Sequence, residues 1–303
     1  MSNPLVSIIT PSFNKGEYIE ETISSVQNQS YPNIEHIIID GGSSDQTLEI
    51  LKSHENHLTW ISEQDAGQSD AINKGLKISN GDILAYLNAD DIYLWDTIDT
   101  AVEYFINNPE VGMIYGDGLN SDGCGGNQRY IKSQKYNLKS LIYCKNYISQ
   151  PSVFLRRSTI DTIGEFDINL NLAMDLDYWI RVGLCNNVRY INKPMSIAKI
   201  YPSAKSSSMM VYYVKEYEYI LDKIKHNLYA SGEIVDWCND ALPYVYTKGS
   251  LDYLHNGMPI DFVLYLFKAL STNPIGCTKF SYELVSKYIR TKFLQEKNNE
   301  VET

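Results

Sequence analysis

The stretch Ile83-Leu84-Ala85-Tyr86-Leu87-Asn88-Ala89-Asp90-Asp91 decides the fold. An unbroken apolar run of this length reads as a strand buried on both faces, and such strands belong to parallel sheets covered by helices. The run ends in two adjacent acids. In an open α/β sheet the ligand site lies at the carboxyl ends of the strands. Adjacent carboxylates there repel one another, and a divalent cation removes that cost. Hard Mg²⁺ or Mn²⁺ takes one or two carboxylates plus phosphate oxygens. The competing reading, one acid capping the next turn, stays open on these residues alone.

The same grammar extends in both directions. Leu5 to Thr10 reads as a first strand, Pro11 to Gly16 as a turn, and Tyr18 to Gln29 as a helix with Ile19, Ile23 and Val26 on one face. Strands are expected at Ile34 to Asp40, Leu58 to Ser62, Ile83 to Asn88, Val111 to Gly116 and Ser152 to Arg156. Helices are expected at Thr47 to Ser53, Ser69 to Ser79, Thr97 to Asn107 and Asp177 to Gly183. Alternating strands and helices imply a mostly parallel, Rossmann-like α/β sheet flanked by helices. Gly116 to Gly126, rich in Gly, Asp, Asn and Ser, reads as a loop. Past about residue 205 the texture turns helical: Tyr212 to Tyr229, Gly232 to Leu254, Pro259 to Ser271 and Ser281 to Gln295. The expected organisation is therefore a catalytic domain over 1–205 and a helical C-terminal region over 206–303.

Composition excludes several classes. A net charge of −11 argues against nucleic-acid binding through a basic surface. Five widely spaced cysteines without a CxxC suggest neither a zinc knuckle nor a disulfide framework, and fit a reducing cytoplasm. The start runs straight into a strand, so no ordinary signal peptide is expected. No run reaches the ~18–20 apolar residues of a membrane span. No GxGxxG follows the first strand and no GxxxxGK[ST] occurs, which weakens dinucleotide and P-loop readings.

Four further segments carry chemistry. In Thr10-Pro11-Ser12-Phe13-Asn14 the aromatic can stack on a base and the hydroxyls can hold a ribose or base edge; a plain strand-to-helix turn is the alternative. Asp40, before Gly41-Gly42-Ser43-Ser44, can accept the N3–H of uracil or hold an Asx-type turn. Asp65 to Gly75, with Gln68 and Asn73, offers ligand contacts or caps a helix through Ser69 or Asp70. In Ala173-Met174-Asp175-Leu176-Asp177-Tyr178-Trp179 one acid can cap the helix and the other can act as a general base.

Taken together, in order, these segments resemble the family 2 glycosyltransferases of GT-A fold over roughly residues 4–200. The resemblance implies a nucleotide-sugar lying across the carboxyl edge of the sheet. Thr10, Pro11, Ser12 and Phe13 would line the nucleoside, Asp40 the base, most often uracil, and Gln68 and Asn73 the donor. Asn88-Ala89-Asp90 matches the DxD segment, with Asp90 as ligand to Mn²⁺ or Mg²⁺. Asp175 matches the general base of an inverting displacement. Gln150 and the loop 116–128 would flank the acceptor, a saccharide or lipid-linked saccharide of bacterial surface polysaccharide synthesis.

Two departures stand out. Asn88 replaces the first acid of DxD, and Lys199-Ile200-Tyr201 stands where many relatives carry Arg-x-His, leaving Lys199 as the expected phosphate contact. Without a QxxRW-like segment, single-sugar transfer is expected rather than processive synthesis. The tail's tyrosines and basic residues (Lys279, Lys287, Arg290, Lys292) suit packing on the core or on a second copy; contact with the inner face of the plasma membrane is the sharper alternative.

Two rival readings fit the residues less well. A nucleotidyltransferase needs a Gly-rich basic loop after the first strand, where only Lys15 stands. A non-catalytic nucleotide-sugar-binding subunit would dispense with the base, yet Asp175 and Asp177 are both present.

Overall fold

The structure, a computed structural model, describes residues 3–121, 128–201 and 213–273. These fall into two compact units, residues 3–141 with 146–201 and residues 142–145 with 213–273. The boundary expected at 205/206 lies outside the described residues.

The first unit begins β1 (Val6–Ser12), α1 (Ile19–Gln27), β2 (Ile34–Asp40), α2 (Thr47–Ser53), β3 (Thr59–Ser62), α3 (Gln68–Ile78) and β4 (Ile83–Tyr86). It continues with β5 (Ile92–Tyr93), α4 (Thr97–Asn107), β6 (Val111–Ser121), β7 (Arg129–Ile131), α5 (Leu138–Ile142), a 3₁₀ turn (Gln150–Ser152) and β8 (Phe154–Arg156). It ends with α6 (Arg157–Ile163), α7 (Met174–Cys185) and β9 (Asn187–Lys199). The sheet order is β3-β2-β1-β4-β8-β6-β9-β5, with β7 beside β6. β1 to β4 run parallel; β8 opposes both β4 and β6, and β9 runs with β6. The direction is thus mostly shared, with β5, β7 and β8 reversed.

Alternation along β2 shows why helices cover both faces. Ile38 packs with Ile19, Ile23 and Leu51 of α1 and α2, while its neighbours Ile37 and Ile39 pack with Ala71 of α3. Further along, Ile8, Ile83 and Ala85 join Ile98, Ala101, Val102 and Phe105 of α4 and Phe154 of β8. At about 25 cal/mol per Å² of apolar surface, this burial is the main stabilising term.

Two expectations are corrected. The stretch from Gly116 is not loop through its length: β6 continues to Ser121, and residues 122–127 lie outside the described ones. Its glycines serve close packing. A Cβ on Gly116 would lie 2.7 Å from the Lys193 carbonyl, and one on Gly118 would lie 2.3 Å from Ser149 Oγ. Asp117, with no exposed surface, is held by Ser133 N–H at 2.7 Å and the hydroxyls of Tyr130 and Tyr190. In addition, α7 starts at Met174, so both candidate acids stand in its first turn.

The second unit holds α8 (Tyr213–Lys225), α9 (Gly232–His255) and α10 (Pro259–Thr272). Ser231 caps α9 by accepting from Ile234 N–H. Glu218 of α8 accepts from Tyr246 and pairs with Lys268 at 3.1 Å, tying the three helices together. The helix expected at 281–295 lies outside the described residues. No helix among the described residues is long and apolar enough to cross a membrane.

Candidate active site

Parallel register brings the expected residues to one edge. β1 and β2 align Ser12 with Asp40, and β2 and β3 align Asp40 with Ser62. The β1–α1 loop is fastened to the β2–α2 loop. Asn14, at φ 50, donates its N–H to Ser43 Oγ at 2.7 Å and accepts from Ser44 N–H at 2.9 Å. Lys15 N–H reaches Thr47 Oγ1 at 3.0 Å and Gly16 N–H reaches Asp45 at 2.9 Å. This clamp leaves Phe13 59% exposed at the strand end, free to stack on a ring. Thr10 and Ser12 are buried instead. The Thr10 hydroxyl meets His36 Nε2 at 2.9 Å, and the Ser12 hydroxyl is enclosed without a hydrogen-bond partner among the described residues. Pro11 is buried within β1. Burial drives the pKa of His36 down to about 3, so this ring is neutral.

Asp40 is fastened within its own loop. It has no exposed surface, and its carboxylate accepts from Gly42 N–H at 3.1 Å, Ser43 N–H at 2.9 Å, the Ser43 hydroxyl and Ser62 Oγ at 2.7 Å. It builds the loop beside the site. Asn73 is likewise engaged within the protein. It is 2% exposed, and its amide holds Phe166 by both backbone groups, each at 2.8 Å. We expect Asn73→Ala to cost about 1–3 kcal/mol for each stranded Phe166 group, read as a lower Tm with nucleotide affinity unchanged. Neither capping candidate caps α3: Asp70 accepts from Ala66 N–H at 3.0 Å, ahead of the N-cap Gly67, and Ser69 bonds Leu170 O at 3.1 Å.

Beyond β4 three expected residues meet. Asn88 Oδ1 accepts from Gln68 Nε2 at 2.7 Å; its Nδ2 donates to Gln150 Oε1 at 3.0 Å and Asp91 Oδ2 at 2.9 Å. Gln150 Nε2 returns to the Tyr86 carbonyl at 2.9 Å. The neutral Asn88 is thus both acceptor and double donor, roles a carboxylate cannot combine. Ala89 is buried beneath it. Asp91 is 5% exposed, and burial with the neighbouring Asp90 charge pushes its pKa up to about 8.

Asp90 is the more open acid. Its Oδ2 takes Lys15 Nζ at 2.6 Å and the Tyr201 hydroxyl, and Lys15 Nζ also donates to Tyr201 Oη at 2.6 Å. Burial opposes the Lys15 charge, but Asp90 and Tyr201 outweigh it and raise its pKa. Lys199 has its side chain 7% exposed, with its ammonium on Glu21 at 2.6 Å and over the Tyr18 ring. Lys15 is the lysine that meets Asp90. Its signal in the sequence was its place in the first strand-end loop, beside Asn14.

Asp175 and Asp177 part company. Asp177 is fully buried on Arg181 Nε at 2.8 Å. Asp175 is half-buried, accepting from Leu176 N–H at 2.7 Å and Asn146 Nδ2 at 3.0 Å. Its neighbourhood is marked by Tyr86, whose phenol is raised well above normal by burial and then by the charges of Asp175 and Asp91.

Among the described residues no three His, Cys, Asp or Glu side chains gather to enclose a metal ion. The donor set on offer is Asp90 plus ligand oxygens. It fits a hard cation such as Mg²⁺ or Mn²⁺, which is held by one or two carboxylates and substrate phosphates.

Known proteins agree with this architecture. The model of the family described as "Glycosyl transferase family 2" matches residues 7–164; Asp175 lies beyond it. An uncharacterized glycosyltransferase of Mycobacterium tuberculosis is 33% identical over 186 residues, covering 60% of this chain and 70% of the relative. A putative teichuronic acid biosynthesis glycosyltransferase, TuaG of Bacillus subtilis, is 39% identical over 108 residues, covering 34% and 42%. Two solved structures share the GT-A fold. S. aureus TarS 1–349, solved with UDP-GlcNAc, has a TM-score of 0.66 at 17% identity, over 93% of this chain and 92% of that one. The Pyrobaculum calidifontis mannosyltransferase PcManGT, solved with GDP-Man and Mn²⁺, has a TM-score of 0.62 at 18% identity, over 97% and 84%. Strand-end acids, amide network and family match converge: this chain belongs to glycosyltransferase family 2.

Proposed function

We propose that the chain transfers a single sugar from a nucleotide-sugar, with UDP as the nucleotide, to a hydroxyl of a saccharide or lipid-linked saccharide acceptor, with inversion at the anomeric carbon. The observation that carries this reading is the network beyond β4 in which Asn88 joins Gln68, Gln150 and Asp91, with Asp90 beside it holding Lys15. Phe13 would stack on the base. Asp175 would take the proton of the acceptor hydroxyl as that oxygen attacks opposite the leaving group. Asn146, bonded to Asp175, would hold its carboxylate toward the acceptor. A bound Mn²⁺ or Mg²⁺ on Asp90 would supply charge stabilisation to the departing diphosphate. The TarS complex with UDP-GlcNAc supports the uridine donor, and TuaG, named for teichuronic acid biosynthesis, supports a surface-polysaccharide acceptor. A lipid-linked acceptor would bring the chain to the inner face of the plasma membrane.

Calorimetry with UDP, GDP and dTDP, first with Mn²⁺ and then with EDTA, tests the donor site. UDP is expected to bind tightest and only weakly without metal. Asp90→Ala is expected to weaken Mn²⁺-dependent binding by at least about tenfold, equivalent to about 1.4 kcal/mol. No metal-dependent binding of any of the three nucleotides would refute the reading.

A further inference from the structure

Lys15 is built into the site by more than one contact. Its backbone is fixed by Thr47 Oγ1 on one side, and its carbonyl accepts from the N–H groups of Tyr18 and Ile19, each at 2.9 Å. The rings of Tyr18 and Tyr201 stack at 5.2 Å with an interplanar angle of 17°. The Lys15 ammonium lies 5.7 Å from one centroid and 5.3 Å from the other. The same ammonium and the Tyr201 hydroxyl converge on one oxygen, Oδ2 of Asp90. Lys199, also over the Tyr18 ring, is paired with Glu21.

Resting on the donor site proposed above, we infer that Lys15 is an exchangeable counter-ion. It neutralises Asp90 in the free protein, and it passes to the diphosphate of the donor when a divalent cation takes Asp90. A divalent ion at Oδ2 would stand within a few ångströms of the ammonium, and like charges at that distance repel. The diphosphate offers the displaced ammonium new acceptors. A lysine suits the exchange because its charge is compact, carries three donors and rides on a flexible stem. Lys15 is thus a positioning residue for the metal and a binding residue for the donor. Competition for Asp90 keeps the site from holding metal firmly before the nucleotide-sugar arrives.

The inference makes two predictions of opposite sign, which a merely structural lysine does not. Lys15→Met keeps the stem and removes the charge. It is expected to bind Mn²⁺ alone about tenfold more tightly, since a charge-assisted hydrogen bond no longer competes, and to bind UDP at saturating Mn²⁺ about tenfold more weakly. Uridine affinity is expected to stay at the parent's value, and Lys15→Arg is expected to restore UDP binding at saturating Mn²⁺. Free Mn²⁺ is followed by its paramagnetic resonance and UDP by calorimetry. A parent that binds UDP beside a Lys15→Met variant unchanged in both titrations, or weakened in both, overturns this inference alone. A parent that binds none of UDP, GDP or dTDP overturns the donor site and this inference with it.

Discussion

Replacing Asp175 with asparagine is expected to lower sugar transfer by about 10²–10⁴-fold, the usual contribution of a positioned general base. Nucleotide affinity and Tm should stay near the parent's. The change is nearly isosteric, and an amide oxygen can still accept from Leu176 N–H as Asp175 Oδ1 does. What disappears is the ability to take a proton. Asp175 stands in the first turn of α7, where the helix N-terminus favours a negative charge. Initial-rate measurements of nucleoside diphosphate release, parent beside Asp175→Asn at saturating nucleotide-sugar, check it. Full activity in the variant would remove Asp175 from the mechanism.

Two residues further on, the same type of side chain carries the second large effect, on stability. Asp177→Ala is expected to destabilise the fold by about 3–5 kcal/mol, the range for breaking a buried ion pair from one side. Its carboxylate is wholly buried and the Arg181 side chain is 9% exposed. Arg181 spans from Asp177 to the carbonyls of Ile163 at 3.0 Å and Glu165 at 3.1 Å, and lies over the Tyr178 ring at 4.7 Å. Removing Asp177 leaves a guanidinium with two neutral acceptors and no counter-charge. The pair locks α7 to the end of α6 and so sets the direction from which Asp175 enters the site. Thermal and urea melts of the variant measure the loss; an unchanged Tm would show that the pair contributes nothing net. The contrast between Asp175 and Asp177 is the sharpest in the chain: one change should abolish chemistry in a folded protein, the other should unfold it.

Local pattern carried the parts of this structure that are governed locally. β2, α2 and α4 have the bounds their periodicity implied, because each buries a regular face. The strand-end acids were legible because the open-sheet rule places ligands there. Elements whose partners are distant in sequence were not legible. β9 carries Arg189, Lys193 and Pro194 and lacks an apolar rhythm; it is a strand because β6 pairs with it through Ser121 and Lys199. The extension of β6 through Gly116, Asp117 and Gly118 resembles a loop until Tyr130, Ser133 and Tyr190 supply the partners of Asp117. In the site, Asp40 and Asn73 have the residue types of ligand contacts, and their backbone partners at Ser43 and Phe166 could not be read from sequence. Lys199 and Lys15 could not be ranked from sequence either, since Glu21 claims the first and leaves the second at Asp90.

On the reading proposed above, the carboxyl edge between β1 and β4 holds a nucleotide-sugar through Asp90. A crystal structure of the parent chain with UDP and Mn²⁺, phased at the manganese edge, is the decisive measurement. One anomalous peak is expected within coordination distance of Asp90, with the diphosphate joined to that ion and the uracil ring against Phe13. A nucleotide bound away from this edge, or a manganese ion held without Asp90, would contradict it.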